Sequence, residues 1–171
     1  MDVVDAIHTR RTHKAYGAEP VDRPTLDELL ELARWAPNHH LTQPWRFRVL
    51  GPAALARLKE AAGPEAARKL DRAPTLIVAS QRRDPEDPVA DEEDFAAAAI
   101  ASYLVLLGAH ARGLAGYWRT PAVLRSPEGR AALGIPDGER VLGLIHLGRA
   151  KGPDKLAPER APVAEIREYL R

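Results

Sequence analysis

Two sets of apolar residues near the start of the chain, Val3, Val4 and Ile7 and then Leu26, Leu29, Leu30 and Ala33, recur at helical spacing and predict two early helices. Asp22-Arg23-Pro24-Thr25 is the start signal of the second, because a short acidic side chain accepts from free N–H groups and proline suits a first turn. Pro37 stops it, since proline cannot donate the next backbone hydrogen bond and pushes its predecessor toward extended geometry. Trp45-Arg46-Phe47-Arg48-Val49-Leu50 alternates apolar with basic residues, and Thr75-Leu76-Ile77-Val78-Ala79 is a short apolar run. Both predict strands, with an Ala-rich helix between them.

From Phe95 to Arg112 the chain is apolar nearly all the way round, which predicts a central helix buried on several sides and capped by Gly113. Ala115-Gly116-Tyr117-Trp118 enters a third strand, Pro121 to Leu133 reads as short helical turns, and Val141 to Gly148 makes a fourth strand. That alternation gives an α+β or α/β fold in one domain, residues 1–171. Gln81 to Asp94 reads as a solvated loop running into a helix start, where Asp91-Glu92-Glu93-Asp94 serves capping and solubility. Lys151 to Pro162 is rich in proline and charge and crosses a surface before Val163 to Arg171 docks on something.

Composition narrows the function classes. A chain of 171 residues with 45% apolar and 29% charged side chains can bury one sizeable core. Its 25 basic against 24 acidic side chains leave a net charge of +1, too small to recruit nucleic acid or anionic membrane by a broad field, so any basic site is local. The absence of Cys excludes disulfides, thiol catalysis and zinc-thiolate clusters. No basic region followed by an apolar one opens the chain, and no stretch approaches membrane-spanning length, so the expected location is cytoplasmic.

Several residues can carry chemistry. Arg10 and Arg11 close the first helix beside the hydroxyl of Thr12, a set able to hold a phosphate or simply to form a basic helix end. His39 and His40 are adjacent, so they point apart and grip one metal poorly; they are surface-turn residues or hydrogen-bonding groups of a site. Trp118-Arg119-Thr120 at a strand end offers an aromatic face, a planar cation and a hydroxyl, for packing or for a ligand. Gly113-Leu114-Ala115-Gly116 lacks the spacing and context of a dinucleotide phosphate loop.

Taken together, Arg10-Arg11-Thr12-His13-Lys14-Ala15-Tyr16, Ala36-Pro37-Asn38-His39-His40-Leu41-Thr42-Gln43-Pro44-Trp45 and Gly116-Tyr117-Trp118-Arg119-Thr120 resemble the flavin-dependent nitroreductase family, and its short branch most closely. The resemblance spans most of the chain. It implies an α+β nitroreductase-like fold, a central mostly antiparallel sheet flanked by helices. It also implies an interlocked homodimer with exchange of a C-terminal strand and FMN at the subunit interface. By the same resemblance Arg10, Arg11 and Thr12 anchor the FMN phosphate and ribityl chain, His39 reaches the flavin across the interface, and Trp118, Arg119 and Thr120 lie against FMN. Arg112 and Gly113 fall in a segment the short branch uses for the nicotinamide, where helix-cap chemistry is an equal reading. Two departures stand out: the short branch carries Arg immediately before Ala-Pro where this chain has Trp35, with Arg34 one place earlier, and larger relatives carry Asn where this chain has Leu41. Arg160 has too loose a spacing to assign.

The activity so implied is an FMN-dependent NAD(P)H oxidoreductase with ping-pong hydride transfer to a nitroaromatic, quinone or related small-molecule acceptor. The chemistry resides on FMN, with no catalytic side chain and no metal. Specialised family chemistry such as flavin fragmentation or reductive dehalogenation, and a flavin-binding module without turnover, are the alternatives.

Overall fold

The computed structural model describes residues 1–153 and 156–170. Among these residues five α-helices and four strands follow one another as α1 (Val3–Thr9), α2 (Arg23–Ala33), β1 (Trp45–Val49), α3 (Pro52–Ala67), β2 (Thr75–Arg82), α4 (Pro88–Ala111), β3 (Ala115–Arg119), α5 (Pro127–Leu133) and β4 (Glu139–Gly148). The strands form one sheet in the order β1-β2-β4-β3, antiparallel at every pairing. The fold is α+β, as the resemblance implies.

Both faces of the sheet are covered, which is why β2 and β4 read as unbroken apolar runs. On one face Ile77, Ala79, Ile145 and Leu147 meet Leu26 and Leu29 of α2 and Ala98, Ala101 and Val105 of α4. On the other, Leu76, Val78 and Leu144 meet Leu58 of α3 together with Leu70, Leu124 and Ile135. A bulge, where the register shifts between Ala79 and Ser80 of β2, resets the alternation in β4. Leu142 therefore packs on the first core and Leu144 on the second.

The caps follow local chemistry. Asp22 accepts from Thr25 N at 2.9 Å and starts α2. Gly113, at φ 73°, closes α4, with Leu114 N donating to Ala109 O at 2.9 Å and Gly113 N to His110 O at 2.9 Å. The Ala-rich helix α3 is broken at Gly63, which takes φ 74° because Pro64 bars its predecessor from helical geometry.

Three expectations need correction. The central helix begins at Pro88, not near Phe95, with Asp87 as its N-cap. The acids Asp91 and Asp94 are consequently inside α4, buried, and do more than solvate: Asp91 accepts from Gln81 Nε2 and Asp84 N, and Asp94 accepts from the Thr42 hydroxyl. Finally, α4 is by length and composition able to cross a membrane, although half of that stretch is buried inside the protein, against the sheet and α2.

Two surfaces lack a partner among the described residues. Met1, Val3, Leu32, Trp35, Leu104 and Leu107 line an apolar cavity of about 460 Å³ between α1, α2 and α4. The C-terminal segment forms one short turn, Val163–Glu165, and leaves Leu156, Val163, Ile166, Tyr169 and Leu170 exposed.

Candidate active site

The segment after α1 runs beside the outer edge of β3, where Thr12 makes a parallel bridge to Gly116 and His13 N donates to Gly116 O at 3.3 Å. Arg10, Arg11 and Thr12 are thus fixed against β3, and Trp118 lies two residues beyond Gly116, roughly 7 Å along the strand. Arg11 Nη1 donates to His8 O at 2.6 Å and Arg10 O at 2.9 Å. The Arg10 guanidinium lies 5.7 Å from the centre of the Tyr103 ring on α4. Arg10 and Arg11 are therefore held in place by contacts that leave other donors unspent.

Those spare donors test whether a polar ligand fits. Nε of Arg10, Nε of Arg11 and Nε1 of Trp118 are buried without any hydrogen-bond partner among the described residues. Such groups cost about 1–3 kcal/mol each when nothing accepts from them. An anionic cofactor with a polar heterocycle, such as FMN, offers acceptors of the required kind.

Trp118, Arg119 and Thr120 together line a cavity of about 800 Å³. Alternation along β3 puts Trp118 on the α4 side, where it packs against the first core, and turns Tyr117 and Arg119 the other way. The far wall belongs to α3 and the segment after it, where Ala62, Lys69 and Leu70 face the same space. Burial weighs against the charge of Arg119, with neighbouring Arg72 adding repulsion, and both lower its pKa despite a favourable effect of Tyr117. A negative ligand in the cavity would relieve both.

His39 stands elsewhere. It belongs to the short turn His39–Leu41 before β1, where, contrary to the expectation that the two rings point apart, it stacks on His40 at 3.9 Å, and it approaches Glu93 Oε2 with Nδ1 at 2.7 Å. Because β1 and β3 are opposite edges of the sheet, His39 is separated from the β3 group by three strand spacings, roughly 14 Å. Within one chain these residues do not form one site. The turn itself is strained: His40, Leu41 and Gln43 all adopt positive φ, each at a cost of order 1 kcal/mol that the surroundings must impose. Thr42 Oγ1 to Asp94, Gln43 N to Asn38 Oδ1 and Arg82 Nη2 to Thr42 O supply that constraint.

Arg112 and Gly113 sit at the end of α4. Arg112 donates through Nε to Glu28 Oε2 at 3.0 Å and through Nη1 to Gly108 O at 3.3 Å, and Gly113 is accounted for by the cap. Arg34 pairs with Glu31 at 3.0 Å, and Trp35, largely exposed, donates to the same carboxylate at 3.1 Å.

Two residues near the β3 group escape sequence reasoning. Lys14 continues the basic run and holds its ammonium 5.8 Å from the Tyr117 ring centre. His146, fully buried on β4 opposite Tyr117, has neither ring nitrogen hydrogen-bonded to any of the described residues. Burial first, then the positive charges of Arg119 and Arg72, push its pKa down to about 4. A lone histidine inside an apolar strand gives no sequence signal of this.

Comparison with known proteins gives a consistent result. The "Putative NAD(P)H nitroreductase YfhC" of Bacillus subtilis is 30% identical over 98% of this chain and 90% of its own length. The crystal structure of a nitroreductase-like family protein from Bacillus cereus shares the fold with a TM-score of 0.89 at 24% identity, covering 99% of this chain and 96% of that one. An FMN- and NADPH-dependent nitroreductase, NfnB, from a Sphigopyxis strain superposes with a TM-score of 0.83 at 18% identity over 99% of both chains. The model of the nitroreductase family matches residues 7–149, and this chain belongs to that family.

Proposed function

We propose that the protein is an FMN-dependent NAD(P)H oxidoreductase acting on a small-molecule acceptor such as a nitroaromatic or quinone. The observation that carries this reading is the set of three buried, unpartnered donors on Arg10, Arg11 and Trp118, beside a cavity of about 800 Å³ that Trp118, Arg119 and Thr120 line. FMN bound there would supply the redox chemistry, ping-pong hydride transfer between NADH or NADPH and the acceptor.

The chain's own residues bind and orient. Arg10, Arg11 and Thr12 hold the phosphate end through charge-assisted hydrogen bonds. Arg119 gives a cation and Thr120 a hydroxyl at the other end, Trp118 backs them from the α4 side of the strand, and Lys14 adds a second cation beside Tyr117. No side-chain nucleophile is needed. Arg112 and Gly113 have no role in this reading beyond closing α4.

The site is completed in a homodimer. The apolar face of α1, α2 and α4, the outer edge of β1 and the exposed apolar residues of the C-terminal segment each need a partner surface, and a second copy offers all three. The separation of His39 from the β3 group supports a site shared between two chains.

Equilibrium dialysis against FMN tests the assignment. The wild-type chain should retain flavin, and Arg10→Ala should weaken retention roughly tenfold or more, the worth of one charge-assisted phosphate contact. Unchanged stoichiometry and affinity in Arg10→Ala would remove Arg10 from the site.

A further inference from the structure

The chain is nearly neutral, at +1, yet its basic residues are not evenly spread. Arg83, Arg125, Arg130 and Arg140 line one cavity of about 700 Å³, at the corner where β2 ends and β4 begins. The carboxylates in the same wall do not balance them. Glu139 is spent on the fork of Arg48, at 2.7 and 2.9 Å, and on the hydroxyl of Ser80. Among the described residues that leaves Asp137 as the one uncommitted carboxylate beside four arginines in the lining.

The arginines differ in how far they are committed. Arg130 braces the wall by donating to Pro136 O at 2.5 Å and Glu139 O at 3.1 Å. Arg83 has a long contact of 3.4 Å to Asp91. Arg140 lies over the Phe95 ring at 3.8 Å, an arrangement that steadies a guanidinium and leaves its in-plane donors available. Among the described residues no hydrogen bond or ion pair engages the Arg125 guanidinium, which is exposed on the turn Ala122–Arg125.

We infer that this corner is a binding site for the phosphate group of a nucleotide-sized molecule. Guanidinium forks match phosphate oxygens in pairs, and like charges converging on a concavity focus a field that draws in an anion. The volume lies within the range of small-molecule sites, roughly 300–1,000 Å³, and exceeds the needs of a lone inorganic ion. Its position gives it a use: Ala122 and Val123 of the turn line the candidate redox cavity, while Leu124 and Arg125 line this one. The phosphate can come from the adenylate end of a nicotinamide dinucleotide or from a separate phosphorylated metabolite. The site stands on the arginines alone; its connection to the electron donor rests on the proposed oxidoreductase reading.

Isothermal titration calorimetry on the full chain, saturated with FMN and freed of excess, tests this with 2′,5′-ADP, 5′-ADP and pyrophosphate as probes. Binding should weaken with added salt and fall tenfold or more in the Arg125→Ala/Arg140→Ala double variant, while Arg23→Ala/Arg68→Ala, which removes the same charge at exposed sites, leaves it unchanged. A preference of tenfold or more for either adenylate over pyrophosphate identifies the dinucleotide as source, and equal affinities identify a free phosphorylated metabolite. No heat from any probe, or equal affinity in the double variant and wild type, overturns the site. If the chain fails to hold FMN but still loses ADP binding in the double variant, the flavin reading fails and the phosphate site stands.

Discussion

The indole of Trp118 lies directly on the backbone of Gly143 across the β3–β4 pair. A methyl group placed on Gly143 would come within 2.5 Å of Trp118 Nε1 and 2.5 Å of the Arg119 carbonyl oxygen, so the absence of a side chain there sets the position of both candidate flavin-contacting residues. Gly143→Ala should therefore cost about 1–3 kcal/mol by overpacking. It should also weaken FMN binding, because Trp118 must move. Chemical denaturation and a flavin titration read the two effects, and unchanged values in both would show that Trp118 is not held by this contact.

His146 makes stability depend on pH. Its pKa falls from the ordinary 6.5 to about 4 in the folded protein, so between those values the unfolded chain binds a proton that the folded one refuses. Stability is full above about pH 6.5 and declines as the pH falls toward 4, by roughly 3 kcal/mol at 1.36 kcal/mol per unit. His146→Leu removes two unpartnered nitrogens from an apolar position and should abolish that slope at little cost at pH 7. Urea unfolding at pH 5 and pH 7 decides it; equal slopes in variant and wild type would show that His146 does not titrate in this range.

Glu139 acts at lower pH. Its burial raises the pKa, but hydrogen bonds from Arg48 and Ser80 and the charges of Arg48 and Arg46 outweigh that and hold it below its ordinary 4.5. A depressed carboxylate contributes stability that is present above 4.5 and lost as the pH falls through its folded value. Glu139→Gln should flatten this acid limb and cost about 2–3 kcal/mol at pH 7. That is at or below the usual 3–5 for breaking a buried pair, because the Arg48 side chain keeps 26% of its surface exposed. An unchanged acid limb in the variant would assign it to other carboxylates.

Arg10 and His39 offer a direct test of a shared site, since they lie toward opposite edges of one sheet. Arg10→Ala and His39→Ala should each impair flavin-dependent turnover alone. In a mixed dimer of the two variants, one site has both intact residues and the other has neither, so about half of the wild-type activity should return. Failure to recover activity on mixing, under conditions where subunits exchange, would place both residues in the same chain's site.

Much of the fold was legible along the chain, for local reasons. Three of the four strands announce themselves through alternation in Trp45–Val49 and apolar runs in Thr75–Ala79 and Val141–Gly148, and Ala115–Trp118 marks β3 after the helix cap at Gly113. The end of β2 did not, because Gln81 is polar yet buried and depends on Asp91, ten residues away. The same pair explains the misplaced start of α4: acids that look solvated are the anchors of its first turns. Arg10 to Thr12 and Trp118 to Thr120 were recognisable as motifs, but their convergence on β3 arises from the Thr12–Gly116 bridge, a pairing between segments a hundred residues apart. The arginine-lined corner was invisible for that reason too, since Arg83, Arg125 and Arg140 meet only through the sheet order.

The central claim is that the β3 cavity and the arginines beside it hold a flavin that exchanges electrons with a nicotinamide. Purified protein saturated with FMN and freed of excess should be mixed anaerobically with NADPH and, separately, with NADH while the visible spectrum is recorded. Bleaching of the bound flavin by either donor, and recovery on adding a quinone or nitroaromatic, is the predicted result. A flavin that binds but is bleached by neither nicotinamide, or a chain that takes up no FMN, would contradict it.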